Sequence, residues 1–176
     1  MPSRSRAQPA VRVPESFDTE FPTASRRATE TFINIGLLVG GVRSAVEAMV
    51  AAEGLPSMAA FNVLSVLGGD SAALRPSVIA SRMMVTRATI TGVLDSLEAR
   101  KLVRRRASAD DGRSVEVELT RAGRSLVDRV VPLMHEFERD LMGALDDHEL
   151  DRLVQMVARL QQQLASIAPD ARLGIR

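Results

Sequence analysis

From Ser25 to about Ala52, apolar residues recur at three- and four-residue steps through Phe32, Ile35, Val39, Val42, Val46, Met49 and Val50. That spacing lays one stripe along a helix and predicts that the stripe is buried. Gly36, Gly40 and Gly41 weaken the helix and permit a bend or a close approach by another helix. Gly54 and Pro56 end it. A short second helix runs from Ser57 to Leu67 through Met58, Phe61, Val63 and Leu64, and stops at Gly68-Gly69. Residues 76–83 make a third, with Pro76 at its start and Val78, Ile79 and Met83 facing inward. Thr86 to about Arg100 is the fourth, with Ile90, Val93, Leu94 and Leu97 as its core stripe and Thr86 as N-cap.

The period then changes to two. Leu102 to Ala107 and Ser114 to Leu119 read as strands, and Asp111-Gly112 between them suits a hairpin turn. Val115, Val117 and Leu119 alternate with Glu116 and Glu118, so one side of the hairpin is buried. A hairpin this short is unstable alone and must lie against helices. Thr120 caps a longer helix to about Ala144, through Leu126, Val130, Leu133, Met134, Phe137 and Leu141, with a kink expected at Pro132. Asp146-Asp147 open a last helix that turns Leu150, Leu153, Val154, Val157, Leu160 and Leu164 inward. Residues 1–25 hold four prolines and little periodicity and read as a mobile arm; residues 169–176 read as a tail.

Two short helices, a helix with a polar leading edge and a two-stranded wing define a mainly α fold with a small β-hairpin, a winged helix-turn-helix. Such an arrangement offers duplex DNA two tools. A helix N-terminus presents free N–H groups and partial positive charge to phosphates, and its first turns reach base edges. On this chain Thr86, Arg87, Ala88, Thr89 and Thr91 occupy those turns. An arginine at the wing tip, Arg113, suits the minor groove, with Asp111 orienting it. Arg104, Arg105 and Arg106 cannot all face one way on a strand; at least one is expected to pair with Glu116 or Glu118, leaving Arg105 and Arg106 as phosphate candidates.

Composition narrows the alternatives. The chain has 176 residues, 45% of them apolar but only 3% aromatic, enough for one core of Leu, Val, Ile, Ala and Met. With no cysteine, disulfides, thiol sensing and Cys-ligated metals are excluded. A net charge of +1 says little, but its distribution says more. Residues 75–124 carry eleven Lys/Arg against six Asp/Glu, and residues 125–164 carry four against eight. Only the basic middle suits phosphates; an accidental solvated patch remains the plain alternative. No unbroken apolar run of about 18 residues and no leader pattern appears, so neither a membrane span nor a secretory signal is expected. His135 with Glu136, Glu138 and Asp140 imitates a metal cluster, but their spacing scatters them around a helix, so no metal or other cofactor is expected. No nucleophile elbow, phosphate loop or paired catalytic carboxylates emerge, which argues against an enzyme.

The segments VTRATITGVLDSLEARKLVRR and DDGRSVEVELTRAG carry a resemblance. From about Phe32 to Leu164 the chain is similar to the MarR (multiple antibiotic resistance regulator) family of bacterial regulators, whose wing ends in Asp-x-Arg before an alternating strand and Leu-Thr-x-x-Gly. Here those positions are Asp111-Gly112-Arg113, then Val115, Val117, Leu119-Thr120 and Gly123. The resemblance implies a cytoplasmic homodimer held by terminal helices (residues 26–55 and 121–168) around the DNA-binding region 56–120. It also implies a near-palindromic double-stranded operator, repression, and release by a small effector such as an aromatic or phenolic acid. The candidate effector pocket is Arg43, Val46, Met58 and Phe61, with Arg43 facing an anionic effector or making an ordinary salt bridge. Three departures stand out: Gly92 and Ser96 replace frequent basic residues of the recognition helix, and Lys101 stands where a glycine usually closes it. Gly92 and Ser96 keep open a second reading, a helical ligand-binding or protein-interaction module that has lost specific DNA binding.

Overall fold

A computed structural model describes residues 10–70, 72–83, 85–108 and 114–167. The elements in chain order are α1 (Phe17–Glu20), α2 (Arg26–Ala52), α3 (Met58–Gly68), α4 (Pro76–Arg82), α5 (Arg87–Ala99), β1 (Val103–Ala107), β2 (Val115–Leu119), α6 (Arg121–Met142) and α7 (Asp147–Ile167). The chain divides into two compact units, Met1–Met49 and Val50–Arg176.

In the first unit residues 11–13 lie as a strap on α2. The Asn34 carboxamide accepts from the Val11 N–H at 2.9 Å and donates to the Val11 carbonyl at 3.0 Å. One amide thus satisfies both groups of an extended residue. Glu30 accepts from the Val13 N–H and from the Arg12 guanidinium, each at 2.9 Å. The Val13 N–H and then Arg12 hold the Glu30 carboxyl below its ordinary range. Downstream, the rings of Phe17 at the start of α1 and Phe21 just past its end meet tilted, with centroids 5.0 Å apart.

The predicted stripe of α2 is present but not buried as expected. Phe32 is 80% and Val39 61% exposed, and Ile35 is also exposed; burial begins only at Val46 and Val50. By length and composition alone this helix is also apolar enough to cross a membrane, with a mean hydropathy of 1.6 even though Arg43 and Glu47 interrupt its apolar run. One such helix is weak support for a span, since a helix that buries its apolar face in an assembly reads the same way.

In the second unit each helix start is fixed locally. Ser57 accepts from the Ala60 N–H, Thr86 from the Thr89 N–H and Thr120 from the Gly123 N–H. Pro76 occupies the first turn of α4, after Arg75 in extended conformation. The strands pair antiparallel from Val103↔Leu119 to Ala107↔Val115, and Leu74 adds a bridge through reciprocal bonds to Val117. Leu64, Ile79, Ile90, Leu94, Leu97, Val103, Val117 and Val130 are fully buried in the shared core.

Some inward assignments differ. On α4 the buried residues are Ile79 and Ala80, while Val78 is exposed, because a two-turn helix buries only the narrow arc that meets its neighbours. On α6 Leu133 is exposed, and the buried face is Gly123, Leu126, Val127, Val130 and Met134. Pro132 interrupts no boundary; α6 continues through it. On α7 no residue is fully buried: Leu150 and Leu153 are half-buried, and the rest of the predicted inward stripe, from Val154 to Leu164, lies open in the single chain.

Candidate nucleic-acid interface

Helix α5 is anchored by its apolar side. Ile90, Leu94 and Leu97 face the core, which leaves Thr86, Ala88, Thr89, Thr91 and Gly92 exposed on the outer face of its first two turns. Thr86 and Thr89 share a hydroxyl contact of 2.9 Å while Thr86 caps the helix, so the capping and interface readings apply to one group. Arg87 is the first residue of α5. A Cβ built on Gly92 would meet nothing within 4 Å, so a larger side chain there would project into open space.

The α5–β1 corner is unusually tight. Lys101 adopts φ 60°, the left-handed turn that glycine normally takes at this place. The Thr120 hydroxyl donates to the Lys101 carbonyl at 2.7 Å while accepting from Gly123. A Cβ on Gly123 would lie 2.0 Å from the Leu102 carbonyl oxygen, so glycine is required where α6 passes this corner.

All three arginines of β1 are paired with carboxylates, two of them with Glu116 and Glu118 as expected of at least one. Arg104 pairs with Glu118 at 2.5 Å, as the alternation allowed. Arg106 bridges Glu116 at 3.1 Å and Glu118 at 3.4 Å. Arg105 is likewise engaged, by Asp95 at 2.6 Å and Glu98 at 2.5 Å on α5. Asp95 first, and then Glu98, hold its guanidinium more firmly charged than usual. Those two carboxylates were missed in the sequence; the signal was an acidic pair three residues apart on the outer side of α5. Ser108 closes the network by donating to Glu116 at 2.8 Å. The wing tip, with Asp111 and Arg113, lies outside the described residues.

The expected effector residues fall in different units: an exposed Arg43 and a buried Val46 on α2 in the first, a half-buried Met58 and a buried Phe61 on α3 in the second. Phe61 also lines an open groove of about 590 Å3 between α3 and α6, with Ser65, Val127, Val131, Met134 and His135. The Ser65 hydroxyl oxygen there is buried without a hydrogen-bond partner. Among the described residues no group of three or more His, Asp or Glu is placed to hold a metal.

The site and scaffold together are those of a winged helix-turn-helix protein. Comparison with known proteins narrows this. Residues 53–114 match the model of the MarR family. The chain is 31% identical to the HTH-type transcriptional repressor YetL of Bacillus subtilis over 77% of its own length and 81% of that protein's. It is 33% identical to the HTH-type transcriptional regulator PecS of Dickeya dadantii, over 60% of this chain and 65% of PecS. The fold of MepR from S. aureus, solved as a DNA complex, superposes with a TM-score of 0.64 at 24% identity, covering 76% of this chain and 94% of MepR. The chain belongs to the MarR family. It is accordingly a transcriptional regulator and not an enzyme.

Proposed function

We propose that this regulator acts as a cytoplasmic homodimeric repressor that binds a near-palindromic duplex operator and is released by a small aromatic or phenolic effector. The observation that carries the DNA reading is the capped, exposed first turns of α5 beside a rigidly braced hairpin. In it Thr86, Arg87, Ala88, Thr89 and Thr91 meet bases and phosphates in the major groove, and Arg113, oriented by Asp111, enters the minor groove. Arg105 and Arg106 drop out of the contact set because protein carboxylates already hold them. YetL is named as a repressor, and MepR has been solved on DNA, which supports the same outcome here.

The exposed apolar faces of α2 and α7 support a dimer in which a second copy covers them. The groove at Phe61 and Ser65 offers the effector an apolar wall and one unsatisfied hydroxyl; Arg43 and Val46 stand as separate effector candidates on α2. One observation favours the alternative, an interaction module without specific DNA binding: all three β1 arginines are internally neutralised.

A salt titration against operator DNA decides between them. A dimer neutralising about 6–10 phosphates loses about 10³–10⁵ in affinity from 50 to 200 mM salt, with half-sites about 34–36 Å apart. No saturable binding at low salt would sink the DNA reading. Arg113→Ala is expected to weaken binding most at A·T-rich flanks.

A further inference from the structure

We propose that Arg105 is a positioning residue: it sets the rotation of α5 against the hairpin and holds no phosphate itself. This rests on the DNA-binding reading above. The contact is built from both ends. Arg105 donates its backbone N–H to Glu98 at 3.2 Å and its guanidinium nitrogens to Glu98 at 2.5 Å and Asp95 at 2.6 Å. Asp95 and Glu98 stand one turn apart, so a planar fork with two donors spans both where a single ammonium reaches one.

The fork adds something the core cannot. Burial of Ile90, Leu94 and Leu97 holds α5 at the right distance, but apolar burial is non-directional and tolerates roll about the helix axis. Charged hydrogen bonds from a fixed strand to two points on the outer side of the helix remove that roll. Recognition depends on it, because a binding constellation tolerates only about 10–20° of misorientation. The side chains of β1 divide accordingly: Arg105 is 29% exposed while Arg104, one residue earlier, is 69% exposed. Moving Arg105 onto a phosphate would also strand two carboxylates beside a polyanion.

The test uses the full-length protein, an operator selected by it from a random duplex pool, and a random duplex of equal length. Arg105→Ala is expected to lower the ratio of specific to random affinity at least tenfold and to leave the slope of log affinity against log salt unchanged. Arg105→Lys should fall between. The double variant Asp95→Asn/Glu98→Gln keeps Arg105 yet loosens it, and is also expected to lower the ratio. A partly unfolded variant loses both duplexes equally, so the ratio separates positioning from simple destabilisation. A slope shallower by about one in Arg105→Ala marks a lost phosphate contact and overturns the proposal. So does an unchanged ratio, or a double variant that grips the operator more tightly. If the wild type selects no sequence at all, the DNA-binding reading fails and the proposal with it, a result distinct from a variant that keeps its ratio.

Discussion

Helices α5 and α7 carry apolar residues at the same helical spacing, yet their fates in one chain are opposite. Ile90, Leu94 and Leu97 of α5 are fully buried among α3, α4 and the hairpin, whereas Val154 of α7 is 68% exposed and Val157, Leu160, Leu164 and Ile167 lie open with it. Helix α5 therefore belongs to a core that one chain completes. The terminal helix carries a stripe whose burial must come from elsewhere, and a second copy is the proposed source.

The sharpest way to break this contrast is to delete side chains on each helix. Leu94→Ala should cost about 2–5 kcal/mol in denaturant unfolding, at any protein concentration, because the cavity lies inside one chain. Gly123→Ala should follow at about 1–3 kcal/mol, since its new methyl meets backbone at Leu102 and the corner must shift. Leu160→Glu should leave the secondary structure intact but raise the dimer dissociation constant by about tenfold or more in sedimentation equilibrium. If Leu160→Glu instead unfolded the chain at every concentration, α7 would be part of the single-chain core.

Smaller effects sharpen the picture at the two surfaces. Gly92→Ala should stabilise the protein by about 0.5–1 kcal/mol in thermal melts, because the position is helical, exposed and sterically empty. A loss of stability there would place something against α5 that the single chain lacks. The slightest change is at the N-terminal strap. Glu30 is depressed below its ordinary 4.5, so its hold on Val13 is complete above that pH and weakens as pH falls through the lower folded value. Hydrogen exchange at the Val13 amide should therefore gain relative to the α2 core amides under acid, and no change would remove Glu30 from that role.

Where structure follows from neighbours in sequence, it was legible. Thr86 and Thr120 cap the helices they were expected to cap, and Ser57 caps the helix expected to begin at it, although on the hairpin's expected buried side only Val117 is fully buried and Val115 is exposed. At Lys101, where a glycine was missing, the sequence left open a left-handed turn or a different helix end, and the chain takes the left-handed turn. What failed depended on partners far along the chain or outside it. The stripes of α2 and α7 were read correctly as stripes, but periodicity cannot say which molecule covers them. The pairing of Arg105 with Asp95 and Glu98 was not foreseen because those carboxylates lie on a different element, 7 and 10 residues back, where no local rule pairs them. Val78 failed for a geometric reason, as a two-turn helix has too few residues for its period to define a face.

The corner at Lys101 and Leu102 joins three elements with almost no slack. The Thr120 hydroxyl grips both sides of it, and Gly123 passes too close to admit a single methyl. Helix α6 therefore has no independent hinge at its start: prising it away from α3 would lever the end of α5 and the root of the wing along with it. A wedge driven into the seam near Phe61 would be felt as torque at the far end of a stiff crank.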